Sequence, residues 1–150
     1  MSLAEVVQGC EPTAFVDVTT GTTADRTLPW DFSIIDNTKH CLLIQTGQAV
    51  TWSGDFDVHP LAAQGGDSPN PIGTHQSGES ATVTFNAVGT FGYKCLAHSP
   101  MIGAVKVVAA TTTPAQAPAL SPLVGSGLGV LLVAAGVALL RRRRTQVDVS

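Results

Sequence analysis

An all-β domain followed by one C-terminal membrane-spanning helix is the architecture this sequence predicts, and three observations carry it. The chain of 150 residues holds 15 Gly and 9 Pro but only 13% charged side chains, a composition rich in turns and poor in helix-surface charge. Short alternating or β-branched runs recur between turn signals, the pattern of a sandwich or barrel. No helix-period pattern precedes residue 118, whereas no residue from Val107 to Leu140 is charged. The length fits one domain large enough to build its own core.

The strands are expected as follows. Ala14–Thr19 alternates. His40–Thr46 and Gln48–Trp52 flank Gly47. Ala81–Phe85 places Val83 and Phe85 on one face. Thr90–Cys95 and Ile102–Val108 bracket a donor-rich loop, and Gln64–Gly73 reads as part of a long Gly/Pro-rich loop. No internal repeat is present.

Residues 110–119 are rich in Thr, Pro and Ala and read as an extended linker. Leu120–Leu140 then offers 21 uncharged residues, a helix of about 30 Å, which matches a bilayer core. Arg141–Arg144 follow directly, so residues 141–150 form a basic tail expected on the cytoplasmic side, with the body outside. The layout also resembles bacterial C-terminal sorting signals, which are removed after export; a buried core helix is the remaining alternative. Residues 1–12 form an N-terminal segment without a basic, apolar leader. An exported body requires one, so the expectation is that a native leader has been replaced at this end.

The net charge of −3 hides an asymmetry. Residues 1–110 carry −6 and the last ten residues +3, so the body lacks the basic face that nucleic acid requires.

The most informative motif is Cys95-Leu96-Ala97-His98-Ser99-Pro100-Met101. Thiolate and imidazole bind several transition metals. Adding a thioether favours copper, and a Cys, two His and a weak axial Met form the blue-copper electron-transfer set. The motif supplies one His, and His59 is the natural second. Ligands on two loops of a rigid sandwich hold one geometry through a redox cycle. The bland reading is a buried Cys acting as a small hydrophobe beside a solvated His. His40 and His75 are left over and are expected at the surface. With Cys95 as ligand, Cys10 and Cys41 remain either as a disulfide or as two buried thiols. A bridge across about 30 residues is worth roughly 3–4 kcal/mol in the chain-entropy model and implies an oxidising compartment.

The run Gln76–Val108, with Gly47–Trp52 and His59, resembles the cupredoxins, blue type 1 copper proteins of the plastocyanin, amicyanin and halocyanin kind. The resemblance covers residues 13–109, and the short ligand loop is most like that of amicyanin. It implies a Greek-key β-sandwich holding one copper through His59, Cys95, His98 and axial Met101. The implied activity is one-electron shuttling, not enzymatic turnover, between redox partner proteins docking near His98. Leu61, Leu96, Pro100 and Ile102 would rim that face. The exported domain, periplasmic or extracellular, would be tethered to the membrane by residues 120–140.

Two positions depart from the family. Its usual Asn after the first ligand His is Pro60 here, and its usual Ser or Thr after the ligand Cys is Leu96. In the family those two positions hydrogen-bond to each other and tie the ligand loops together; here that side-chain link is missing, and the consequence expected is either a shifted potential or an upstream loop held instead by the rigid Pro60.

The competing readings are a copper chaperone or store, a copper enzyme and a metal-free interaction domain. A store would usually carry Met- and His-rich clusters, an enzyme His-x-His pairs, and a dinuclear centre a second loop Cys; none occurs here. A metal-free domain leaves His98 and Met101 unexplained.

Overall fold

The computed structural model describes residues 5–111. Most of the linker 110–119, the span 120–140 and the tail 141–150 lie outside the described residues. Among the described residues no helix is long and apolar enough to cross a membrane.

The described residues form two mixed β-sheets. The strands are β1 (Val16–Asp17), β2 (Thr27–Pro29), β3 (Cys41–Gln45), β4 (Ala49–Ser53), β5 (Leu61–Gly66), β6 (Thr74–His75), β7 (Ser80–Thr84), β8 (Gly89–Cys95) and β9 (Ile102–Val108). The larger sheet runs β1-β3-β9-β8-β5-β6 and the smaller β2-β4-β7. β3 pairs parallel with β9, and β8 antiparallel with both β9 and β5. One core joins the sheets: Leu28, Val50, Trp52, Ala81 and Val83 from the smaller meet Leu42, Ile44, Phe91, Tyr93, Val105 and Val107 from the larger. Alternation explains which residues point inward. Val50 and Trp52 on β4, and Ala81 and Val83 on β7, are buried, while the residues between them are not.

The outer face of the larger sheet is covered as well. Val7, Cys10, Cys41 and Ala104 form a second buried cluster against which Phe15 packs. Cys10 and Cys41 are joined by a disulfide, so residues 5–12 are stitched onto β3.

The expected strand over Ala14–Thr19 is shorter, because the Asp17 carboxylate accepts the Thr19 N–H at 2.9 Å and turns the chain. The expected loop 64–73 begins as strand: Gln64–Gly66 complete β5. Gly65 and Gly66 take positive φ of 75° and 77° where the register with β8 shifts. A Cβ on Gly66 would strike the Thr90 carbonyl. His40 and His75 are half-buried rather than exposed. Each folds back onto the carbonyl of the residue three before it, His40 onto Asn37 and His75 onto Ile72 at 2.9 Å.

Candidate metal centre

β8 delivers the thiol. Phe91, Tyr93 and Cys95 alternate on its core face, and Cys95 ends the strand, buried and the chain's one free cysteine. The chain then turns through His98 to Met101, which is fully buried. Backbone bonds pin the ends of this loop: Cys95 N–H donates to the Met101 carbonyl at 2.8 Å, and Met101 N–H to that of His98 at 3.1 Å. Seven residues are thereby folded so that the Cys95 thiol meets the His98 imidazole while the Met101 side chain is buried in the same core as Cys95.

His59 arrives from the turn before β5. The Asp55 carboxylate accepts the Asp57 and Val58 N–H groups at 2.9 and 3.3 Å, and His59 N–H donates to the Asp55 carbonyl at 2.8 Å. The Trp30 indole N–H donates to the His59 carbonyl at 2.6 Å within the core. The β5–β8 ladder pairs Leu61 with Cys95, which brings the two ligand segments side by side.

The side-chain link between these loops is absent, as Pro60 and Leu96 require. A backbone link is present instead: Leu96 N–H donates to the Pro60 carbonyl at 2.8 Å. Proline lacks a donor but keeps its acceptor, so the loops are tied without either side chain.

The donor atoms converge. His59 Nδ1 and His98 Nδ1 are 3.0 Å apart, and Cys95 Sγ lies 3.6 Å from His98 Nδ1. All three ligand atoms fall within 4.8 Å of one another. Donors held about 2.0–2.3 Å from one ion, roughly 100–120° apart, stand about 3–4 Å from each other, so the residues fit a metal at their centre. His59 is buried and His98 half-buried, so one imidazole lies nearer the surface. With buried Met101 beside Cys95 in the same core, the donor set is that of a mononuclear copper site.

Two residues with no sequence motif attached to them border the site. Trp30 holds the His59 backbone, and Phe32 places its ring against both imidazoles, with centroids 5.2 Å from His59 and 4.9 Å from His98. A signal existed: Trp30-Asp31-Phe32-Ser33-Ile34 alternates large apolar residues with the short polar residues that start turns. Here the Asp31 carboxylate accepts the Ser33 N–H at 2.8 Å. Bonds from Ser33 hold the Asp31 carboxyl below the usual carboxylate range, with a smaller contribution from His59 nearby. The rim also differs from expectation. Leu61 is fully buried, because it faces inward on β5, whereas Phe32, Val58 and Leu96 are about half exposed.

No protein-family model and no curated protein matches the sequence. Solved structures do match. A purple cupredoxin from Nitrosopumilus maritimus is 26% identical over 45% of this chain and 76% of that one, with a TM-score of 0.33. Amicyanin from Paracoccus versutus is 25% identical over 45% and 67%, with a TM-score of 0.32. A copper-containing nitrite reductase from Thermus scotoductus is 25% identical over 46% of this chain but only 19% of its own, with a TM-score of 0.38. All these TM-scores are below 0.5, so the class is defined by the two packed sheets and the donor cluster. On those grounds the domain is cupredoxin-like, with a copper-type site at His59, Cys95, His98 and Met101.

Proposed function

We propose that residues 13–109 form a Greek-key cupredoxin domain that carries single electrons on one type 1 copper. The carrying observation is the convergence of the Cys95 thiol and two imidazole Nδ1 atoms, at 3.0 and 3.6 Å, with Met101 buried in the same core. Bound copper supplies the Cu(I)/Cu(II) couple. Copper would be held by the Cys95 thiolate, the His59 and His98 imidazoles and, more weakly, the Met101 thioether. Loops pinned by Cys95 N–H, Leu96 N–H and the Trp30 indole resist rearrangement, which keeps the reorganisation cost of electron transfer low.

Half-buried His98 is the port. Phe32, Val58 and Leu96 give its surroundings an apolar centre, and exposed Asp31, Asp55 and Asp57 stand near His59, the neighbouring imidazole, in sequence or space. The redox partners inferred are proteins with an apolar patch rimmed by basic residues, docking more slowly as salt rises. The disulfide supports an exported domain, and the apolar run 120–140 followed by four arginines supports a membrane tether with the tail in the cytoplasm.

Titrating the full chain with Cu(II) tests the reading. An intense visible thiolate charge-transfer band with narrow copper hyperfine splitting is expected. Cys95→Ser abolishes it, and Met101→Leu keeps the colour but raises the potential. A colourless protein overturns the proposal. A blue protein that exchanges electrons with no small redox partner would be a copper store instead.

A further inference from the structure

The segment Trp30–Ile34 approaches His59 and His98 from outside both ligand loops, and its side chains divide into anchors and one outlier. Trp30 and Ile34 are fully buried in the core. Trp30 packs edge-on to Tyr93 at 5.7 Å and donates its indole N–H to the His59 carbonyl. Asp31 starts the tight turn Phe32–Ile34 by accepting the Ser33 N–H. Phe32, held between these anchors, is 53% exposed. Its exposure alone says little, since single exposed apolar side chains are common.

Its neighbours point to a role. The Phe32 ring stands nearly perpendicular to both imidazoles, at 85° to His59 and 70° to His98. Edge-to-face pairs of this kind are attractive beyond the area they bury. The two histidines are not otherwise held alike. His59 is buried and its carbonyl is fixed by Trp30. His98 is half-buried, and its ring's only hydrogen-bond partners among the described residues are His59 and Cys95, the other members of the cluster. Phe32 is therefore the one aromatic ring outside the donor set that touches His98 among the described residues.

We propose that Phe32 is a positioning residue for the copper site: it locks the His98 ring and, lying across both imidazoles, closes the metal to small ligands from solvent. This rests on the copper reading above. It assigns the segment before the first ligand loop a role that neither loop performs. Trp30 fixes the backbone of one ligand, and Phe32 fixes the rings of two.

The full chain as wild type, Phe32→Ala, Phe32→Leu and Phe32→Tyr tests this. Each is loaded with Cu(II) and challenged with sodium azide and, separately, with a copper chelator. The wild-type visible and electron paramagnetic spectra are expected not to change with azide. Those of Phe32→Ala and Phe32→Leu are expected to change, and the chelator removes their copper about tenfold faster, the factor that two lost aromatic contacts supply. Phe32→Tyr, which keeps the ring, restores both behaviours, and Phe32→Ala and Phe32→Leu remain folded at the assay temperature, unfolding only several degrees lower because the side chain is half exposed. A blue wild type whose Phe32→Ala and Phe32→Leu variants resist azide and chelator equally well overturns the proposal while leaving the copper reading intact. A colourless wild type overturns both. Azide sensitivity in every variant, Phe32→Tyr included, also overturns it, because the ring would then not be the barrier.

Discussion

Two clusters of sulfur and imidazole occupy the two faces of one corner of the larger sheet, and only one is built to take a metal. Cys10, His40 and Cys41 bring their side-chain donors as close together as His59, Cys95 and His98 do, within 4.8 Å. In the first cluster the donors are already spent. The two sulfurs are bonded to each other, and the His40 ring is engaged by the Asn37 carbonyl. In the second, the thiol is free and the imidazole nitrogens face one another and the sulfur. Proximity of ligating residue types does not define a metal site; unengaged lone pairs aimed at one point do. The clusters also stabilise different things. The first closes a chain loop and covers the outer face of β3 and β9, and the second leaves a place for an ion.

The clusters touch through Tyr93, which gives the comparison its sharpest test. Tyr93 sits in the inner core two residues before Cys95, and its hydroxyl donates to the His40 carbonyl at 2.8 Å. Gly103 makes room for this bond, since a Cβ there would collide with both groups. Burial pushes the Tyr93 phenol well above its ordinary pKa, so it stays a donor across the working pH range. Replacing both cysteines, as Cys10→Ser with Cys41→Ser, is expected to cost about 3–4 kcal/mol by chemical denaturation, the chain-entropy value for a separation of 31 residues. The blue spectrum should survive unaltered. Loss of colour in that variant, under conditions where it remains folded, would mean that the covalent cluster also shapes the copper site.

Trp30→Phe is the next largest effect and falls on the other cluster. It keeps an aromatic ring against Tyr93 but leaves the buried His59 carbonyl without its donor, at a cost of about 1–3 kcal/mol. Unlike the cysteine replacements, it should also alter the visible band and speed copper release, because the freed group is the backbone of a ligand. Denaturation and chelator kinetics on the same samples separate the two. A change in stability with no change at the copper would reduce Trp30 to a core residue.

How much of this could be read from the sequence depended on whether the cause was local. β4, β7 and β9 were legible because their alternation or β-branched content follows directly from facing a core. β5 was not: Leu61-Ala-Ala-Gln-Gly-Gly has no β-branched residue, and it is a strand because β8 pairs with it. The donor set was legible because three of its members share one short loop. Trp30 was not, because its bond spans 29 residues and depends on the packing of a segment with no strand pattern. The tie between the ligand loops was half legible. The side chains at Pro60 and Leu96 exclude a side-chain bond, but a backbone donor and acceptor are present at almost every residue, and only the fold decides which of them meet.

That tie sets the smallest and most informative expectation. Because Leu96 N–H already reaches the Pro60 carbonyl, Pro60→Asn with Leu96→Ser adds a side-chain link to a contact that exists, rather than restoring a missing one. Leu96 is half exposed, and releasing proline's restriction on the unfolded chain costs about 1 kcal/mol or less, so stability should barely move. The new polar groups would lie next to the Cys95 thiolate and the His59 backbone, where hydrogen bonding tunes a metal without moving its ligands. The reduction potential should therefore change, as read by voltammetry on the copper-loaded full chain, while the loops stay where the backbone bond holds them. An unchanged potential would show that Leu96 N–H and the Pro60 carbonyl alone supply what the side-chain link provides elsewhere, and that the two ligand loops, unlike the disulfide corner, are fixed by main chain rather than by residue identity.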